Sequence, residues 1–285
     1  AAGVQLTLDG PASVDLTASP EGTPQVKINY GRALLMTVGK AAAQVGLVTG
    51  ARQSVVTFDD ADSVLAVDVR RSHSKGMDPR LQDPHIRVRL IATSGRIQWH
   101  PEDGDPQAVE AGQMMTLFND ESEQIQDAGE LPAWIRTAEM TSIDRLASTA
   151  LQPMVPVDRP LSLSLSELAE HRRAELRSLA VRCLAYIGQY DTFVSVLNDV
   201  GQRSSWSVQF DVLRQATAIS PAAAEQIADT LAKHRGEDSE RLFRLLWGYS
   251  PDELADGFAR ELVEYLDHSK MDFRVLAFEN LRRIT

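Results

Sequence analysis

The first part of the chain alternates. Val4, Leu6 and Leu8 are separated by Gln5 and Thr7. Val26, Ile28 and Tyr30 are separated by Lys27 and Asn29, and Ile86, Val88 and Leu90 by Arg87 and Arg89. A period of two is what a strand needs when one face is buried and the other wet. Other runs are continuously apolar: Ala33 to Val38, Val45 to Thr49, Ser54 to Phe58, Ser63 to Val69 and Met114 to Phe118. Turn signals stand between them at Gly31, Gly39, Gly50, Asp59-Asp60, Ser94-Gly95, Glu102 to Pro106 and Ala111-Gly112. Short strands recurring every 8–12 residues or so predict an antiparallel β-sandwich or barrel. One connection is long, from Arg70 to Pro84. Connections of that length are usually functional or mobile.

From Asn119 to Glu130 the chain turns acidic, with Asp120, Glu121, Glu123 and Asp127. Leu131-Pro132-Ala133-Trp134-Ile135 follows as an apolar anchor, and Trp134 and Ile135 are expected to dock on one of the flanking domains. After about residue 137 the period becomes helical. Thr141-Ser142-Ile143-Asp144 opens a helix to Leu151, and Pro153, Pro156 and Pro160 break it. Leu161 to Ser166 reads as an extended lead-in, with Ser164 to Glu167 as a capping box for the next helix. Ser220-Pro221 and Ser250-Pro251 each pair an N-capping serine with a proline in the first turn. The expected organisation is an all-β domain over 1–130, a connector with a short helix over 131–164 and a helical domain over 165–285.

The helical part repeats. Arg177 to Ile187 and Arg274 to Ile284 both read R-x-L-A-x-x-x-L-x-x-I, about three periods of 32 residues apart. Weaker copies fall at Phe210 to Ile219 and Leu242 to Trp247. Second helices are expected at Thr192 to Val200, Pro221 to His234 and Asp252 to Asp267. Leu179, Ala180, Leu184 and Ile187 share one helical face, which hairpins of this kind bury by stacking. The pattern resembles HEAT-type repeats. That resemblance implies an α-solenoid over 165–285, with Leu245, Leu246 and Trp247 in its core; an irregular helical bundle is the alternative.

The β part has a resemblance of its own. Gly31 to Leu35, Val45 to Gly50, Ser54 to Phe58, Ala66 to Val69, Val88 to Ile97 and Val109 to Leu117 give a short strand series, a strand-Gly-strand segment and a Gly-Gln turn before a closing strand. This resembles a FecR-like β-domain over about 25–118. FecR-like domains lie outside the cytoplasmic membrane and relay signals through protein contacts. The long Arg70–Pro84 loop and the appended repeats depart from that pattern. Both halves together are similar to large uncharacterised envelope proteins of planctomycete-type bacteria, a likeness that suggests a location and supplies no activity.

Composition sharpens this picture little. The 285 residues are 43% hydrophobic and 24% charged, enough apolar material for two cores. The net charge of −11 argues against a nucleic-acid surface. Residues 1–150 hold 13 Lys+Arg against 20 Asp+Glu, so the acidity is not a tail. No apolar window is long enough to span a bilayer. The chain starts at Ala1 without Met, so a tether or signal peptide lying beyond these residues is an expectation.

Candidate chemistry is sparse. His73, His85, His100, His171, His234 and His268 show no metal-binding spacing, although the first three could converge at one end of the sheet. Asp59-Asp60-Ala61-Asp62-Ser63 hints at a calcium loop but lacks its glycine and its final glutamate. Glu102, Asp103 and Asp105 sit in a Gly-containing turn, a poor platform for paired catalytic carboxylates. The single cysteine, Cys183, reads as a small buried hydrophobe. Arg70, Arg71, Arg80, Arg87, Arg89 and Arg96 form a basic group in an acidic half, and Arg87 and Arg89 share a sheet face. No catalytic, cofactor or metal residue is assigned. The expected function is a non-catalytic protein-interaction or scaffolding module, the extracytoplasmic part (periplasm or cell envelope) of a signalling protein, with a protein partner and no cofactor. A carbohydrate-binding β-module with Tyr30 and Trp99 as exposed aromatics is the alternative, and a hydrolase with an unrecognised site is the third.

Overall fold

The computed structural model describes residues 3–119, 121–122, 125–136 and 142–284. They form two compact units, one of residues 1–71 and 85–139 and the other of residues 72–84 and 140–285. Thr141 and the acidic positions Asp120 and Glu123 lie outside the described residues.

The first unit is a large curled mixed sheet. Its strands are β1 (Val4–Ala18), β2 (Pro24–Thr37), β3 (Ala43–Thr49), β4 (Arg52–Phe58), β5 (Val64–Ser72), β6 (His85–Ser94), β7 (Arg96–Pro101), β8 (Gln107–Glu110), β9 (Gln113–Phe118), β10 (Glu121–Ser122) and β11 (Gln126–Asp127). Neighbours run β10-β9-β6-β5-β2-β3-β4-β7-β8, with β1 on β2 and β11 on β9. Strands β2 to β9 all send side chains into one core, among them Ile28, Leu47, Phe58, Leu65, Leu90 and Ile97. A single sheet can enclose one core only by curling on itself.

The bend sits in β2. Gly31 is not the turn that the sequence suggests: β2 continues through it, bent but unbroken. Residues 25–28 pair with β3, and residues 31–36 pair with β5. Core-facing positions are Val26 and Ile28 before the bend and Ala33 and Leu35 after it, so the parity changes there. β1 shifts register opposite, between Asp9 and Ser13. The β2–β3 pair is parallel, which corrects the expectation of a purely antiparallel sheet. Parallel neighbours ordinarily need a long crossover. Because β2 folds over at Gly31, the short link 38–42 suffices.

A short helix, α1 (Ala133–Arg136), closes this unit. Trp134 packs with Leu131 and Ile135 over Ala66 and Ile91, on the sheet face away from the main core. This is the docking expected of the apolar anchor.

The second unit holds α2 (Ser142–Leu151), α3 (Leu161–Leu168), α4 (Ala174–Tyr186), α5 (Asp191–Val196), α6 (Trp206–Thr217), α7 (Pro221–Arg235), α8 (Ser239–Trp247), α9 (Pro251–Glu253), α10 (Ala259–Tyr265) and α11 (Met271–Ile284). α4 packs on α6, α6 on α8, α8 on α11 and α5 on α7, but α6 also touches α11. The fold is therefore mixed β + α. In the repeated motif, Ala180, Leu184, Leu276 and Ala277 are buried, whereas Ile187 and Ile284 are each 46% exposed at their helix ends. Leu245, Leu246 and Trp247 lie in the helical core.

Both Ser-Pro starts cap as read. The Ser220 hydroxyl accepts from the Ala223 amide, and Ser250 forms a full capping box with Glu253. The box expected at Ser164 does not form. α3 starts at Leu161 after Pro160, which puts Ser164 inside the helix and buries it. Leu165 and Leu168 decide this by packing against Ala180 and Leu184. Glu167 instead pairs with Arg159 at 2.5 Å.

Candidate functional site

The outer face of β2, β5, β6 and β9 has two ends of opposite character. At one end Leu34, Ala66, Ile91 and Met114 lie under the Trp134 segment. At the other the residues on the same parity are Arg32, Asp68, Arg70, Arg87, Arg89, Thr116 and Phe118. The register sets Arg87 beside Phe118 and Arg89 beside Thr116. Arg32 bonds Asp9 at 3.5 Å and lies over the Trp134 ring, 5.4 Å from its centroid.

Arg70 and Arg87 then share one carboxylate, with Arg89 beside Arg87. Asp68 is buried and takes Arg70 at 3.0 Å. Burial, followed by the like charges of Arg89 and Arg70, holds the Arg87 guanidinium below the usual arginine range; Asp68 opposes this only in part. Among the described residues the buried Arg89 Nε has no hydrogen-bond partner. A fold that only needed solvated charge would not keep guanidiniums half-buried beside one another. Next to them Phe118 is 40% exposed and stacks on His85, with ring centroids 5.7 Å apart. This end of the face is a cationic and aromatic surface short of anions.

No protein-family model matches the chain, and no curated protein matches it. Two solved structures described as candidate anti-sigma factors of Parabacteroides distasonis are weakly similar. One aligns over 53% of this chain and 73% of its own, at 11% identity and a TM-score of 0.28. The other aligns over 43% of this chain and 59% of its own, at 8% identity and a TM-score of 0.25. Likeness of this degree assigns neither family nor fold.

The six arginines singled out in sequence do not form one patch. Arg96 pairs with Asp59 and Glu110, both at 3.3 Å. Arg71 donates to the Asn29 carbonyl at 2.7 Å beside Tyr30, whose hydroxyl pKa is raised by burial. Arg80 belongs to the helical unit, where it bonds Asp78 at 2.7 Å and Glu240 at 3.0 Å and covers the Phe243 ring. Only Arg70, Arg87 and Arg89 meet. Strand parity could have separated Arg87 and Arg89 from the rest, but nothing in the sequence marks Arg80 as a helix-docking residue.

The remaining candidates fall in structural places. Asp60 accepts from the Arg96 amide at 3.0 Å, locking the β4–β5 turn to the β6–β7 turn. His85 and His100 lie in the first unit and His73 in the second. Among the described residues no three His, Cys, Asp or Glu side chains are placed to hold a metal, and no helix is long and apolar enough to cross a membrane. Burial raises the Cys183 thiol pKa, which keeps it protonated at neutral pH. Trp99 is not an exposed platform: it is 4% exposed and belongs to the core. It does form part of the wall of a cleft of about 360 Å³ with Arg52, Gln53, Glu102, Asp105 and Gln107.

Proposed function

We propose that this chain is a non-catalytic protein-interaction module that docks an acidic protein surface on the Arg70–Arg87–Arg89 end of the sheet. In this reading it is the extracytoplasmic part of an envelope signalling protein, a FecR-like β-domain followed by stacked HEAT-like hairpins. The observation that carries the docking is the Arg87 guanidinium, half-buried between like charges and short of anions. An acidic partner supplies the missing carboxylates, and charge-assisted bonds to half-buried guanidiniums are the strong ones.

Such a face costs the fold something that its partner returns. Arg87→Gln is expected to leave the first unit as stable or more stable by up to about 0.5 kcal/mol, because it removes a like-charge contact. The same variant is expected to lose partner capture from native envelopes, and capture by the unaltered protein should weaken as salt is raised. Thermal unfolding and quantitative pull-down measure both. Destabilisation of more than about 1 kcal/mol with capture unchanged would show that the arginines serve the fold alone.

A second reading rests on the cleft beside Trp99. Trp99 forms part of its wall, and Gln53, Gln107 and Glu102 offer groups that bond sugar hydroxyls. A glycan array should then give hits that Glu102→Ala with Gln107→Ala abolishes; an array without hits removes this reading. Trp99→Ala is unsuitable for the test, since it empties the core.

A further inference from the structure

The long strand β1 is an edge. Among the described residues it bonds to β2 alone, so the backbone groups along its other side meet no strand over Val4–Ala18. Stable folds usually shorten such edges or guard them with lysine, proline, bulges or inward charge. β1 carries neither lysine nor arginine. Its guards are Pro11 and the two register shifts, between Asp9 and Ser13 and between Ser13 and Val14, which leave Val4–Asp9 and Val14–Ala18 as regular strand on either side.

Its side chains show that the core is unfinished there. Val4, Leu6 and Val14 lie partly buried at the core margin. On the same face Leu8 and Leu16 are 47% and 68% exposed, although their cross-strand partners Ala33 and Val26 are buried. A further strand would cover both leucines and satisfy the open backbone in one step.

We propose that β1 accepts an extended segment of a partner protein as an added strand, one alternating apolar residues with polar residues that include lysine or arginine. The alternation follows from β1 itself. Its core-side positions are apolar, and the opposite positions are Gln5, Thr7, Asp9, Ser13, Asp15 and Thr17. Charge selects against a second copy as the occupant. The only charged side chains that two β1 strands would bring to the seam are carboxylates, on chains that each carry −11. A basic segment meets Asp15 with opposite charge, Asp9 being already paired with Arg32. The open backbone edge of β1 lies on the side away from β2 and does not include Arg70, Arg87 or Arg89, so either surface can fail alone.

The test uses the whole protein and a synthetic nine-residue peptide alternating valine with lysine or threonine. Binding is expected to slow amide exchange across residues 4–18. N-methylation of alternate peptide amides keeps the side chains but removes the bonds, and is expected to weaken binding by about tenfold or more. Leu16→Lys is expected to weaken it similarly while exchange in β2 to β9 stays unchanged. The proposal is overturned if residues 4–18 gain no protection or if the N-methylated peptide binds equally. It is also overturned if the protein self-associates through 4–18, which would make a second copy the occupant.

Discussion

Gly31→Ala unfolds the first unit or leaves it less stable by about 3 kcal/mol or more. Two independent costs add. The residue has φ +106°, a conformation that L side chains rarely adopt. An added Cβ would also lie 2.5 Å from the Ala12 Cα and 2.6 Å from the Pro11 carbonyl oxygen. Those neighbours are backbone in the paired strand, so relief means opening the β1–β2 ribbon. The bend then cannot form, and β2 cannot serve both β3 and β5. Gly22→Ala is the control: its φ is +84° but nothing lies within 4 Å of the new Cβ. It should cost about 1 kcal/mol. Urea unfolding followed by amide exchange in β2 and β5 separates the two. Equal effects of both variants would mean that the close approach at Ala12 is not what fixes the bend.

Arg244→Ala costs the helical unit about 3 kcal/mol, and Arg244→Lys recovers only part of it. The Arg244 guanidinium lies 3.9 Å from the ring centroids of both Trp247 and Tyr249 and donates to Glu253 at 2.6 Å and to the Gly248 carbonyl. A planar guanidinium can stack and bond at once, whereas an ammonium cannot. The junction of α8 and α9 is assembled around this side chain. The 72–84 segment, part of the same unit, packs there too: a Cβ on Gly76 would lie 2.6 Å from the Glu253 carboxylate. Arg244→Ala should therefore raise amide exchange in 72–84 as well as in α8.

The same assembly sets an acid limit. Burial pushes the Glu253 pKa up, but bonds from Ser250 and Arg244 outweigh it and hold the carboxyl below its usual range. Asp78 is likewise held low by Arg80 against its burial. Carboxyls with depressed folded pKa values stabilise above their unfolded values and lose that contribution as pH falls. Protection of 72–84 should be full above roughly pH 4.5 and erode below it.

Much of the fold was legible because periodicity reports burial. The alternation at Val26 and Ile28 and the runs at Val45 and Ser54 became strands, and the repeated Leu-Ala pairs at 179–180 and 276–277 became packed helices. The sequence misled where one residue had two possible readings. Gly31 is a turn signal by composition, yet here it is the bend inside a strand, decided by what lies across from it at Ala12. The serines from 162 to 166 suit an extended segment locally, yet Leu165 and Leu168 carry them into a helix. The arginine face was half visible: parity placed Arg87 and Arg89 together. Only the fold could bring Arg70 to them and send Arg71, Arg80 and Arg96 to other partners. Trp99 was misread because aromatic exposure depends on the sheet's curl, which no single strand encodes.

The docking claim is tested most directly by a photo-reactive phenylalanine placed at position 118, beside Arg87, in the protein within its native cells, with position 44 as control. Gln44 is exposed on β3, away from the arginine face. The account predicts one discrete adduct at 118 with an acidic protein, reduced by salt and lost when Arg87→Gln is added, and none at 44. No adduct at 118, or the same adducts at both positions, would contradict it.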